Sequence, residues 1–156
     1  IIVVSFLKPR EKAFSFTKWP DHITVVPYFQ VVDVENLVSA VKAICSSVGS
    51  IPYVVGVTDY FGVEKNVAVS KLVPSKELAN LHELLLPVAL QNDPNMDSKF
   101  CGQNYKPHIT HNDQPYPKVG EKGVLQTLYL VENNSSTTEN KNQQVKTILA
   151  VVDLAA

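Results

Sequence analysis

An α+β fold of two strand-rich lobes, each covered by one helix, is the architecture this 156-residue sequence predicts. Two observations predict it. The first is the order of hydrophobic periods along the chain, which reads β, β, α, β, β, α, β, β, β. The second is a repeated tripeptide, His22-Ile23-Thr24 and His108-Ile109-Thr110, with each copy in a segment of strand character.

The elements follow in order. Ile1 to Leu7 is apolar except for Ser5 and reads as a buried strand ended by Lys8-Pro9-Arg10. A loop runs to about Trp19, and His22 to Val26 alternates as a second strand. From Asp33 the period changes: Val34, Leu37, Val38, Val41, Ile44, Cys45 and Val48 recur at three- and four-residue steps. That pattern predicts an amphipathic helix with Asp33 as its N-cap and Gly49 at its C-terminal stop. Strands are expected over Tyr53 to Tyr60 and Asn66 to Val73, joined around Phe61 and Gly62. Ser75 then caps a second helix striped by Leu78, Leu81, Leu85 and Val88, with Pro87 at its last turn or at a kink. The polar stretch from Asn92 to Pro107 is a long loop that delivers the chain to His108, and loops of that length are more often functional or mobile than idle. After a short strand at His108 to Thr110, two longer strands are expected, Gly123 to Glu132 and Val145 to Leu154. The run Asn133 to Gln144 between them reads as a solvated hairpin loop. No boundary divides the chain, so residues 1–156 read as one domain.

Composition narrows the function classes. Hydrophobic content of 45% with 19% charged residues describes a globular chain, neither disordered nor membrane-embedded. The formal charge of −1 gives no global footprint for duplex DNA, so any nucleic-acid contact is local. Cys45 and Cys101 have no zinc-ribbon or CxxC spacing, which favours a reducing compartment over a disulfide framework. Ile1 to Leu7 shows neither a basic leader nor a small-residue cleavage site. A cytoplasmic monomer is the expectation.

The chemistry lies in the repeated tripeptide. In an extended strand His and Thr point to one face and Ile to the other, so each copy offers an imidazole beside a hydroxyl while Ile anchors the core. If the two strands lie side by side, His22, Thr24, His108 and Thr110 line one cleft. Histidine titrates near neutrality, at about 6.5 when unperturbed, so one ring can serve as base while the other serves as acid. Phosphodiester cleavage needs both roles, and the threonine hydroxyls can donate to the non-bridging oxygens as charge builds there. That scheme requires no metal and no cofactor. Trp19, Phe61 and Tyr105, near the motifs, could stack on a base, and Lys106 could attract phosphate. The segment before the first motif is also locally basic, through Lys8, Arg10, Lys12 and Lys18.

Two H-hydrophobic-T motifs, a strand at the start and a helix after the first motif resemble the 2H phosphoesterases, the superfamily of the 2′-5′ RNA ligase (LigT-like) and cyclic phosphodiesterase groups. The resemblance covers nearly the whole chain. It implies a bilobal α+β fold with a central cleft and metal-independent action on 2′,3′-cyclic phosphates or 2′-5′-linked RNA or nucleotides, possible in the ligase direction. It also implies catalytic roles for His22, Thr24, His108 and Thr110. RNA ends or small nucleotide phosphodiesters are the implied partners. One departure stands out: the position after the second threonine is usually hydrophobic in that family, whereas here it is His111. An inward imidazole there would need a hydrogen-bond partner, so the strand is expected to end or twist at that point.

Simpler readings stand beside these. The histidines could be satisfied structural residues in strands, and His82, in the second helix, reads as a surface or packing residue. His108, His111 and Cys101 lack a fourth ligand of convincing spacing for zinc. A binding module with the same fold could hold RNA ends without converting them. A histidine-triad hydrolase needs an H-x-H-x-H order that His108, Thr110 and His111 do not supply.

Overall fold

The computed structural model describes residues 1–134 and 144–156, so most of the expected Asn133 to Gln144 loop lies outside the described residues. Among the described residues, nine strands form one sheet: β1 (Ile2–Phe6), β2 (Ser15–Phe16), β3 (His22–Val26), β4 (Ile51–Phe61), β5 (Val67–Leu72), β6 (His108–Thr110), β7 (Lys122–Leu125), β8 (Thr127–Asn133) and β9 (Lys146–Asp153). Their order across the sheet is β2-β9-β8-β1-β3-β6-β5-β4-β7, and every neighbouring pair is antiparallel. The two strands that carry the repeated tripeptide are therefore neighbours near the middle, and the expected lobes are the two halves of a continuous sheet that meet there.

Among the described residues, two α-helices cover one face. Helix α1 (Val34–Cys45) packs on β9, α2 (Lys76–Asn92) packs on β3, and the helices touch each other. The expected N-caps are in place: the Asp33 carboxylate accepts from the Asn36 N–H at 3.0 Å, and Ser75 Oγ accepts from the Leu78 N–H at 3.1 Å. Helix α1 stops at Cys45, short of Gly49. The hydroxyls of Ser46 and Ser47 donate to the carbonyls of Ala43 and Ile44 at 2.7 and 3.0 Å, satisfying the last turn early. Gly49 then forms a bridge to Ala155. Helix α2 in turn runs past Pro87 to Asn92. Pro87 sits on the solvent side, where water can serve the carbonyl its ring leaves unbonded.

The segment read as one strand from Gly123 to Glu132 is two strands serving opposite parts of the sheet. β7 pairs with β4, whereas β8 pairs with β1 and β9. Gln126 makes the joint, its carbonyl accepting from the Leu154 N–H at 2.8 Å. Apolar alternation cannot show a change of partner, because Leu125 and Leu128 are both fully buried on either side of it. The two-residue β2, inside the segment expected to be a loop, is too short to leave a periodic signal. Strand β4 likewise changes partner along its length, with an irregular register between Val55 and Thr58. At Gly56, within that irregularity, a Cβ would lie 2.8 Å from the Lys71 carbonyl oxygen, so only glycine lets β4 approach β5 so closely.

Between the helices and the sheet lies the main core, which includes Ile23, Val25, Ile109, Leu128 and Leu130. A second apolar cluster of Ile2, Val4, Phe6, Tyr129, Val131 and Ile148 lies on the other face, flanked by Phe16 and Trp19. Val4 and Phe6 pair with Thr24 and His22, so this second cluster borders the motif side chains. No helix among the described residues is long and apolar enough to cross a membrane.

Ile109 is fully buried opposite Ile23 at the centre of the sheet. Ile109→Ala is expected to cost about 2–5 kcal/mol of unfolding free energy, through lost burial and a residual cavity. Urea denaturation checks this, and a loss within a few tenths of a kcal/mol would show that the sheet centre is not tightly packed.

Candidate active site

Pairing of β3 with β6 sets Ile23 opposite Ile109. In antiparallel register the flanking positions then fall His22 across from Thr110 and Thr24 across from His108, and opposed residues share a face. With both isoleucines buried beneath the helices, all four polar side chains emerge on the other side. Each imidazole thus has the other motif's threonine across the ladder, where the sequence suggested only the threonine of its own motif. The two histidines are diagonal neighbours. The His108 charge is close enough to oppose protonation of His22.

Each histidine is oriented by the same device. The Nδ1–H of His22 donates to the Pro20 carbonyl at 2.7 Å, and that of His108 donates to the Lys106 carbonyl at 2.7 Å. A carbonyl only accepts, so the proton resides on Nδ1 and Nε2 keeps a free lone pair. In both copies the acceptor belongs to the residue two before the histidine, with a proline in the approach (Trp19-Pro20-Asp21-His22 and Lys106-Pro107-His108). Neither threonine hydroxyl has a hydrogen-bond partner among the described residues, which leaves both available to a ligand.

Burial pushes the His22 imidazole down to about 4, with the Pro20 carbonyl acting against the shift and the nearby His108 charge adding to it. His108 is also lowered by burial, opposed by the Lys106 carbonyl. Both rings are therefore neutral at pH 7. Trp19 lies 4.4 Å and Phe6 6.2 Å from the His22 ring, and Phe61 meets the His108 ring edge-on at 4.8 Å, so aromatic rings wall both imidazoles.

A cavity of about 610 Å³ opens beside the motifs, lined by Thr24, His108, Phe61, Phe100, Tyr105 and Lys106 among others. Three of the four suggested substrate contacts, Phe61, Tyr105 and Lys106, thus meet at one cavity. Trp19 does not line it and packs instead against His22, Phe6 and Phe16. Tyr105 is held on both sides, its hydroxyl donating to the Thr24 carbonyl at 2.7 Å and its ring stacked 4.1 Å from His82.

His82 is a core residue with no surface exposure. Its Nδ1–H donates to the Val25 carbonyl at 2.6 Å, and its Nε2 accepts from the Gly102 N–H at 2.9 Å. The imidazole thereby ties α2 to β3 and to the long loop before His108. His111 turns to the face opposite Thr110. Its Nε2 is 2.7 Å from the Ser70 hydroxyl and its ring stacks on Tyr116, so the imidazole finds the partner it needs where β6 ends. Among the described residues no group of three or more His, Cys, Asp or Glu side chains is placed to hold a metal ion.

Asp21 gave no signal in the sequence. One of its oxygens accepts from the N–H groups of Asn112 and Asp113 at 3.1 and 3.0 Å, while the Asp113 carboxylate accepts from the Asp21 N–H at 3.1 Å. This reciprocal clasp joins the residue before His22 to the segment just after Thr110. Isolated Asp residues in turn-like sequence carry no mark of such a role, and only the chain path brings them together.

A sequence profile of the 2′-5′ RNA ligase superfamily matches residues 5–130. The chain belongs to that superfamily, within the 2H phosphoesterases. Among solved structures it resembles TT0787 of Thermus thermophilus, with a TM-score of 0.64 at 16% identity over 99% of this chain and 98% of that one. It also resembles E. coli LigT complexed with 3′-AMP, with a TM-score of 0.61 at 14% identity over 99% and 97%. At such identities the likeness speaks for the fold. Among curated proteins no match is found.

Followed by NMR, the His22 ring of the free protein is expected to titrate near 4, with the neutral form above that value. Adding inorganic phosphate should raise this value, because an adjacent anion favours the imidazolium. Titration at the ordinary 6.5 without phosphate would show a solvated ring.

Proposed function

We propose that this protein is a metal-independent phosphodiesterase that opens 2′,3′-cyclic phosphates or cleaves 2′-5′ linkages in RNA ends or nucleotides, with the reverse ligation accessible to the same groups. The observation that carries the proposal is the β3–β6 pairing, which sets two imidazoles with free Nε2 atoms and two unpartnered hydroxyls on one face beside a nucleotide-sized cavity. In hydrolysis, one Nε2 takes a proton from water as its oxygen bonds to phosphorus. The opposite imidazole, protonated, gives its proton to the ribose oxygen as the P–O bond breaks. The Thr24 and Thr110 hydroxyls donate to the non-bridging oxygens, where charge accumulates. Phe61, Tyr105 and Lys106 border the nucleoside, and Trp19 supports the site by packing on His22.

A neutral pair needs one proton before it can act. A bound phosphate supplies the field that favours it, so a protonated ring and anionic substrate assemble together.

His22→Ala and His108→Ala are each expected to lower turnover of a 2′,3′-cyclic nucleotide by about 10²–10⁴ while leaving the fold intact by circular dichroism. Undiminished turnover in both variants would remove the proposal, and binding without turnover in the unaltered protein would favour a binding module instead. The profile of kcat/KM against pH should be bell-shaped with its optimum below 6.5. The base must be neutral, so activity falls below its pKa, and the acid must be protonated, so activity falls above its own. Both values are displaced downward by burial. An optimum in the alkaline range would contradict these assignments.

A further inference from the structure

Charge around the cavity exceeds what one cyclic phosphate requires. Beyond Lys106, Lys65 and Lys99 also line it, and no carboxylate does. None of the three makes an ion pair among the described residues, where the ion pair found is Lys71 with Asp59. The Nζ atoms of Lys99 and Lys106 lie 5.4 and 5.6 Å from the centroid of Phe100, a half-exposed ring on the cavity wall. Lys65 is held in the left-handed region at φ 51°, which non-glycine residues other than Asn and Asp seldom occupy, in the turn that joins β4 to β5. Three unneutralised cations thus converge on one concave site in a chain whose net charge is −1. Lysines so grouped repel one another, and a ligand with more than one negative charge relieves that repulsion.

The placement of the cations decides where those charges belong. Thr24 and His108 are among the lining residues, and a cyclic phosphate would meet the imidazole there. That phosphate is singly charged and already has the threonine hydroxyls. Lys65 and Lys99 come from the β4–β5 turn and the long loop, elements outside the two motif strands. Phe61 lies against the His108 ring and Phe100 beneath Lys99 and Lys106, so both ends of a ligand reaching from the imidazole to those lysines have aromatic surface for a base or ribose.

We propose that this cavity selects a nucleotide bearing a second phosphate, remote from the one under attack, which Lys65 and Lys99 hold together with Lys106. The inference rests on the phosphodiesterase reading for the first phosphate and adds the substrate class: a 5′-phosphorylated nucleotide, or an oligonucleotide whose next backbone phosphate reaches the same lysines.

Binding rather than turnover tests it. Affinities of the unaltered protein are measured by calorimetry for adenosine 2′-monophosphate, adenosine 2′,5′-bisphosphate and a diadenosine carrying a terminal 2′-phosphate. One or both of the two-phosphate compounds should bind about tenfold tighter than the monophosphate. The better of the two identifies a terminal or a backbone phosphate as the source. In Lys65→Ala/Lys99→Ala, two exposed positions, the ratio should fall to about threefold or less, and raised salt should shrink it in the unaltered protein. Equal affinity for all three compounds, or a preference that survives the double substitution, would overturn the proposal. A protein that binds with the expected ratio but turns over no cyclic nucleotide would instead count against the catalytic reading alone.

Discussion

Everything at the candidate site depends on one ladder contact, the antiparallel pairing of Ile23 with Ile109. A strand side chain has a period of two, so shifting this pair by one residue would send the imidazoles into the helix-covered core and the isoleucines into the cleft. Burial of both isoleucines makes that shift costly, and the same burial places His22, Thr24, His108 and Thr110 on the open face. Packing on one side of the sheet thereby specifies chemistry on the other. The clasp between Asp21 and the Asn112–Asp113 segment secures the pairing at one end of this short ladder, and the Tyr105 bond to the Thr24 carbonyl supports it near the other.

Orientation and protonation of the histidines come from the backbone and from burial together. The carbonyls of Pro20 and Lys106 set the Nδ1–H tautomer, and removal from water keeps both rings neutral. A carbonyl acceptor without a carboxylate behind it raises imidazole basicity less than an anionic partner would. An anion placed beside the two rings would therefore raise their proton affinity. His82 shows the contrasting use of the same residue type. With Nδ1 donating to Val25 and Nε2 accepting from Gly102, its two ring nitrogens are both satisfied within the core, leaving no reactive atom.

The helices and most strands were legible because their periods are strong and their caps are local: Asp33 and Ser75 need only the next three residues to act. The misplaced boundaries have identifiable causes. Ser46 and Ser47 competed with Gly49 for the end of α1, and continuous apolar alternation concealed the joint at Gln126. Site legibility divides the same way. A repeated tripeptide announces itself, whereas Asp21, Lys65, Lys99 and Phe100 are ordinary residues in loop-like sequence that reach the site or its cavity only through where the chain returns.

By itself, the sequence determined which atoms could do chemistry: two imidazoles, each one residue removed from a hydroxyl on the same strand face, with an isoleucine anchor between them. That information is local, since strand alternation alone puts His and Thr on one side. Only the tertiary structure decided that the two copies pair antiparallel, so that each imidazole faces the other copy's threonine, and that three lysines converge beside them. Those relations join residues far apart in the chain, and they are set by long-range strand pairing and burial, which no local pattern encodes.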